Sequence, residues 1–379
     1  MPIAIGAGLS TLADAAAGGR QAAAQALEGL GGSRCDVAVV FAAGAHLSDP
    51  EVTLREISQV LDPGCLVGCG AAGTLAAGRE VEDGTSVAVW AAALGQGRVE
   101  AFHADEDAGL PDLTGASGAI LIADPWSFPA EAALLELSEE VPALPLVGGL
   151  ASARNDDGSA ALFLGDSLAG DGAVGLRFDG VEMLPCVSQG AAPLGPELTI
   201  TAAEGNVILE LAGRPALEKL REVVMELPSE EAHALEQGLL VGLVLEPNKP
   251  EYVQGDFLVR GVLGADPETG TLAVGAEVRP GQVIRLHARD AESADRDLRD
   301  ALGARRQALG GDRPAGALVF TCNGRGRAMF GHTNHDARVL TDEFGGSPAA
   351  GFFAAGEIGP VGGEYFLHGF TATVAVFGR

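Results

Sequence analysis

Apolar residues along this chain fall into short runs separated by amphipathic stretches, and the alternation recurs. Residues 35–41 form an apolar run that ends at Ala43-Gly44-Ala45-His46. Residues 50–61 place Leu54, Ile57 and Leu61 on one helical face behind Pro50, a residue suited to a helix start. A run of very small residues follows at 65–73, and residues 85–92 close the series as a strand. Residues 98–103 are placed to pair with that strand. A second series begins with the apolar run 118–123, which ends in Asp124-Pro125-Trp126. It continues with a helix over 130–140, small residues at 144–151 and a closing run at 160–164. The third series has its apolar run at 317–320, a helix at 338–344, small residues at 350–353 and a closing strand at 371–377.

Three segments therefore share one order of strand, turn, helix, glycine-bearing strand, turn and closing strand. The glycine-bearing strands begin LVGCG, LVGGL and AAGFF, and the closing strands read SVAVW, AALFL and TVAVF. This predicts an internal repeat, with the turns at His46, Trp126 and Cys322 in related positions. The competing reading is the ordinary rhythm of any α/β chain. Ahead of the first series lie a strand at 3–5 and an alanine-rich helix at 12–30, closed by Gly31-Gly32.

Between the second and third series, residues 171–178 and 181–188 read as strands. A break at Pro193–Thr199 suggests a boundary, giving domains at 1–195 and 196–379. A hairpin over 199–211 turns at Gly205-Asn206. Helices are expected at 215–227 and 229–238, and strands at 239–245, 257–261, 271–274 and 282–288. Residues 290–309 read as a long charged helix with a solvated face. The fold class is α/β, with mixed or antiparallel sheets and outer helices. A two-sheet αββα arrangement with pseudo-symmetric halves fits this pattern, with a plain doubly wound sheet as the alternative.

Composition sharpens the picture. Gly 55 in 379 residues is about twice ordinary usage and has no period of three, so the core is expected to be built from close-packed small residues. Lys+Arg 24 against Asp+Glu 52 gives a net charge of -28. Lys219 and Lys249 are the only lysines, and Arg325 with Arg327 is an isolated basic pair. Such a chain repels nucleic acid and anionic membranes. No stretch is long enough for a membrane span, and the N-terminus lacks a signal peptide's basic region. Five cysteines suit a reducing compartment, so the expected location is cytoplasmic.

Candidate chemistry concentrates after residue 315. The turn after residues 317–320 holds Thr321, Cys322, Asn323 and Arg325; the next holds Glu357; His368 precedes the closing strand. Polar groups at strand ends are how α/β scaffolds build sites. Arg325 could clamp a carboxylate with two parallel hydrogen bonds, and Glu357 could pair with an amine, which together suit an amino-acid-like zwitterion. As ligand-binding candidates we take Cys322, Asn323, Arg325, His332, Glu357 and His368. The enzymatic alternative uses Cys322 as nucleophile with His368 as base and Glu357 orienting it, in a thiol-dependent acyl transferase or hydrolase. A third alternative is an acidic interaction scaffold, and the bland one is glycine and cysteine serving only tight turns. Cys65 and Cys69 read as buried small hydrophobes. His332 and His335 with Asp336 lack a third ligand at metal-site spacing, and Gly6–Thr11 lacks the Walker lysine, so neither a metal nor a cofactor is expected.

Residues 320–326 (FTCNGRG), 348–360 (PAAGFFAAGEIGP) and 368–371 (HGFT) resemble the carboxy-terminal half of FIST domain proteins. The strand at 35–41, the segment at 68–73 and Pro193-Leu194-Gly195 are similar to the amino-terminal half. The resemblance implies a stand-alone sensory domain that binds small ligands such as amino acids. It also implies signalling through a separate protein, with self-association open. It marks Cys322, Gly324, Arg325, Gly326, Gly351, Gly356, Glu357, Gly359, Pro360, His368 and Gly369 as motif positions.

Overall fold

A computed structural model describes residues 2–105, 109–154, 161–235, 238–245, 249, 252 and 255–379. Residue 160 of the run 160–164, and residues 236–237 of the helix expected to reach 238, lie outside the described residues.

The first series opens with β1 (Ala4–Ser10) and α1 (Ala15–Gly29). Asp14 caps α1 by accepting a hydrogen bond from Ala17 N at 2.7 Å. Then come β2 (Val37–Ala43), α2 (Pro50–Leu61), β3 (Cys65–Gly70), the hairpin β4 (Thr74–Ala76) and β5 (Arg79–Val81), and β6 (Ser86–Ala93). The second series is β7 (Arg98–Ala104), β8 (Gly118–Ala123), α3 (Ala130–Glu140), β9 (Leu146–Leu150), the hairpin β10 (Leu162–Leu164) and β11 (Ser167–Ala169), and β12 (Ala173–Asp179). β13 (Met183–Ser188) starts the third.

An inserted stretch interrupts it. β14 (Ala192–Glu204), β15 (Val207–Leu211), β16 (Arg214–Pro215), α4 (Ala216–Glu226), α5 (Ser229–Ala234), β17 (Leu239–Val244), β18 (Phe257–Asp266), β19 (Thr271–Val274) and β20 (Val283–Ala288) belong to a compact unit spanning Ser188–Asp297. Its strands run in the order β14-β20-β17-β18-β19-β15-β16, and β14 also pairs with β15, which closes a ring of six. The long strands β14 and β18 each change partner partway, β14 from β20 to β15 after Thr199 and β18 from β17 to β19 after Gly261. α4 packs Leu217, Leu220 and Val223 inward. Ser188 Oγ donates to Asp297 Oδ2 at 2.8 Å, so the two ends of this unit are fastened together. The expected boundary at 195/196 falls within β14.

α6 (Ala291–Ala308) leads back to the other unit, which comprises Met1–Val187 and Leu298–Arg379. The third series resumes with β21 (Gly316–Cys322), α7 (Arg327–Phe330), α8 (His335–Glu343), β22 (Ala349–Ala354), the hairpin β23 (Glu357–Val361) and β24 (Glu364–His368), and β25 (Ala372–Phe377).

The repeat is real, and it is threefold. Each series has a central parallel pair, β2 with β3, β8 with β9 and β21 with β22. Each pair is flanked by an antiparallel strand from its own series, β6, β12 and β25. On the other side sits a hairpin taken from a different series. The sheet of β2 and β3 receives β10–β11, that of β8 and β9 receives β23–β24, and that of β21 and β22 receives β4–β5. The exchange is cyclic. Three six-stranded sheets therefore enclose the core, where a two-sheet αββα layer was one expectation; the mixed sheets with outer helices are as the sequence predicts.

Two finer expectations change. The run 160–164 does not close the second series: β10 pairs antiparallel with β3 of the first, and β12 is the closing strand. Likewise β7 pairs with β12, not with β6.

The inward faces carry Val39 and Phe41, Ile120 and Ile122, and Leu318 and Phe320. Phe41 stacks on Phe352 at 4.9 Å and meets Phe320 edge-on at 6.4 Å. Such ring pairs add about 0.5–1.5 kcal/mol beyond area burial. Each outward face has its own helices: α1 and α2 over Ala38 and Val40, α3 over Leu121 and Leu146, α6 and α8 over Val319 and Val374. Gly68, Gly148 and Gly351 occupy one equivalent position. An added Cβ there would lie 1.8, 1.8 and 1.9 Å from the carbonyl oxygens of Val40, Leu121 and Val319. That close approach is why a glycine recurs in each of the three strands. No described helix is long and apolar enough to cross a membrane.

Candidate functional site

Aligning the three series on those glycines and on their inward faces makes Ala43, Asp124 and Cys322 equivalent. Each sits at or just beyond the end of its series' first central strand. His46 and Trp126, expected as the counterparts of Cys322, lie further along. His46 is buried, with its ring nitrogens on Thr53 Oγ1 at 2.9 Å and the Leu12 carbonyl at 3.0 Å. Trp126 is 56% exposed, with the Arg154 guanidinium 3.5 Å over its ring.

The third copy is the chemically elaborated one. Glu357 begins β23 opposite Gly149, as Thr74 begins β4 opposite Phe352 and Leu162 begins β10 opposite Cys69. In the first copy Thr74 Oγ1 donates to Ser86 Oγ at 2.8 Å. In the third, the same place holds Glu357, whose Oε2 accepts from Thr371 N at 3.1 Å and Thr371 Oγ1 at 2.7 Å. Burial, only partly offset by these bonds, pushes the Glu357 carboxyl up to about 8. Cys322 lies beside it. Burial first, and then the Glu357 charge, push the Cys322 thiol up to about 11. Such a thiol stays protonated near neutral pH, the opposite of what the nucleophile reading needs. His368 is cross-strand from Glu357, buried, with Nε2 3.1 Å from the Gly359 carbonyl.

Arg325 is 1% exposed. Its Nε and Nη2 donate to Asp336 Oδ2 and Oδ1, both at 2.8 Å. The bidentate clamp expected for a ligand carboxylate is thus already closed on a carboxylate of the protein. Asp336 also accepts from Thr321 Oγ1 at 2.6 Å and His335 Nδ1 at 2.8 Å. Burial alone would raise the Asp336 carboxyl; the Arg325 charge and these bonds outweigh it and hold it well below the usual carboxylate range. The Phe330 ring centre lies 5.2 Å from the Arg325 guanidinium and stacks on the His335 ring at 3.4 Å. His332 is exposed, with Nδ1 2.8 Å from the Phe330 carbonyl. Among the described residues no cluster of three His, Cys, Asp or Glu is arranged to hold a metal.

The exchanged hairpin brings the acids that local sequence does not point to. Glu80 of β5 is buried; its Oε1 accepts from Ala337 N at 2.9 Å in the first turn of α8. Burial, and next the Asp336 charge, push the Glu80 carboxyl up to about 7. Two residues on, Glu82 Oε2 accepts from Arg327 N at 2.8 Å, and Asp83 Oδ2 accepts from Arg327 Nη2 at 3.0 Å. Beside these groups lies a cavity of about 400 Å³, lined by Ala72, Glu82, Asp83, Asn323, Arg325, Arg327, Ala328 and Phe353. That volume falls in the range of small-molecule sites, roughly 300–1,000 Å³. Of the sequence candidates, Asn323 and Arg325 line it. Cys322, His332, Glu357 and His368 are not among its lining residues. The motif stretches nonetheless meet: a Cβ on Gly324 would strike the Phe370 ring at 2.6 Å, and one on Gly326, at φ +73, would strike Glu82 Oε2 at 2.6 Å.

The FIST N domain model matches residues 36–214, and the FIST C domain model matches residues 216–360. The uncharacterized protein Rv0628c of Mycobacterium tuberculosis is 41% identical, over 98% of this chain and 99% of its own length. The uncharacterized protein Mb0898c of Mycobacterium bovis is 40% identical, over 98% of each.

Proposed function

The chain belongs to the FIST family, and on that premise we propose that it is a sensory protein whose cavity at the third copy receives a small ligand. FIST domains are generally regarded as small-ligand sensory domains. The finer reading is that the ligand belongs to the amino acids or related amine-bearing metabolites, and that its binding is relayed through a separate signalling protein. The observation that carries this reading is the cavity itself, about 400 Å³ and lined by groups of both charges, Glu82 and Asp83 against Arg325 and Arg327. An uncharged apolar pocket would not favour a polar metabolite; this lining does. Titration calorimetry of the full chain against amino acids and their amine relatives tests it. Binding is expected, weakened about ten-fold or more when Ala72→Phe and Ala328→Phe together fill the cavity. Unchanged affinity in that double variant removes the cavity from the reading. The thiol-enzyme alternative finds no support at Cys322, where burial and the Glu357 charge favour the protonated thiol.

A further inference from the structure

Both arginines of the cavity already have acidic partners. Arg325 is forked on Asp336, and Arg327 Nη2 meets Asp83 Oδ2. Glu82 differs. Its Oε2 accepts one backbone N–H, while its Oε1 is buried and meets no hydrogen-bond donor among the described residues. Glu80 Oε2, two residues away on the same hairpin and in a side chain 8% exposed, is also buried without a donor. The groups lining the cavity, or bonded to its lining, thus bring Glu82, Asp83 and Asp336 against Arg325 and Arg327. Acid is in excess, and acceptor capacity is left over where donors are lacking. A ligand that supplies N–H groups to the Glu82 carboxylate is therefore favoured. A ligand carboxylate would instead have to compete with Asp336 for a buried guanidinium, against two short charge-assisted bonds. Phe353, Ala72 and Ala328 offer apolar surface for a short carbon chain.

We propose that the cavity selects a small organic cation, an alkyl ammonium or guanidinium that pairs with the Glu82 carboxylate, and that it does not read a ligand carboxylate. This rests on the reading above that the cavity is a ligand site, and narrows its ligand class. The test compares each amino acid with the amine that lacks its carboxylate: ornithine with putrescine, and leucine with isoamylamine, with acetate and inorganic phosphate as anions. Calorimetry on the full chain is expected to show each amine binding at least as tightly as its amino acid, and neither anion binding. Glu82→Gln keeps an acceptor for Arg327 N and removes the charge; it is expected to weaken the amines about ten-fold or more. Amino acids binding more than about ten-fold tighter than their amines, or anions binding, would overturn the inference while leaving a ligand site in place. Amines binding equally well to Glu82→Gln also overturn it. Should none of the six probes bind at millimolar concentration, both the inference and the ligand-site reading fall. The amine comparison uses the unaltered protein, so it stands even if the variant does not fold.

Discussion

Asp336 anchors the polar interior of the third copy, holding Arg325, Thr321 and His335 at once while 2% exposed. Removing its charge leaves a buried guanidinium without compensation. Asp336→Asn is therefore expected to cost about 3–5 kcal/mol in denaturant unfolding, whereas an exposed pair such as Arg296–Glu292 is worth about 0–1 kcal/mol. Proton linkage gives a second expectation. Glu80 and Glu357 have folded values raised from 4.5 to about 7 and about 8. The folded state then holds protons that the unfolded state has released, so these groups stabilise less as pH rises from 4.5 to about 8. Asp336 works in the opposite sense: its stabilisation is present above its unfolded value of 3.8 and is lost as pH falls through its lower folded value. Melting temperature should accordingly decline from about pH 6.5 to mildly alkaline pH, above the range in which the buried, lowered His46 and His287 act in the opposite sense. Glu80→Gln with Glu357→Gln should flatten that decline; an unaltered slope would contradict the assignment. At Cys322 the raised thiol should alkylate more slowly than a free cysteine near neutral pH, as followed by peptide mass spectrometry.

What was legible at this scale is which motifs of the third copy meet. The motif around Cys322 and Arg325 does come together with that around Glu357 and Thr371. What the sequence could not indicate is who holds whom. Asp336 stood in view only as part of a weak metal pattern, and Glu80 and Glu82 lie some 250 residues upstream with no local signal. Their role exists only because a hairpin of the first series lies along the third sheet.

Among elements, the parallel pair with its crossover helix is the unit that repeats, and one small residue limits each copy. Gly351→Ala forces a Cβ to 1.9 Å from the Val319 carbonyl, with backbone on the other side, so relief requires the strands to part. A loss of about 3 kcal/mol or more is expected in chemical denaturation, near the large end for single substitutions. Gly68→Ala and Gly148→Ala should behave alike, because the contact is equivalent. A mild effect at any one would break the equivalence of the three copies. The alternation of apolar runs revealed the repeat, yet it assigned 160–164 as a closing strand. Residues 162–164 are apolar like a closing strand, and periodicity alone does not say which sheet a strand joins.

At the level of the whole molecule, the compact unit Ser188–Asp297 occurs between β13 and α6, where the first copy has only a short connection from β1 to α1. Its two ends are joined by the Ser188–Asp297 hydrogen bond, the geometry of a tolerated insertion. Replacing residues 189–296 with a short flexible linker is expected to leave a chain that unfolds cooperatively on heating, followed by circular dichroism. Loss of a cooperative transition would show that the three sheets depend on the insert. A break at Pro193–Thr199 was visible in the sequence, but it lies inside β14, after the unit has begun at Ser188. The return of the chain to its first unit was not visible, because no local pattern announces which core a strand completes.

The cyclic exchange of hairpins also sets an order on biosynthesis. β4 pairs with β22 through residues 76 and 350, so a segment made early waits for one made near the end. At about 5–20 residues per second, that delay is roughly 15 to 55 s on the ribosome. Until then the β4–β5 hairpin shows an open strand edge, the kind of surface that chaperones cover and that aggregates when left bare. A chain halted anywhere before β22 carries that edge permanently, however much of its sequence is intact.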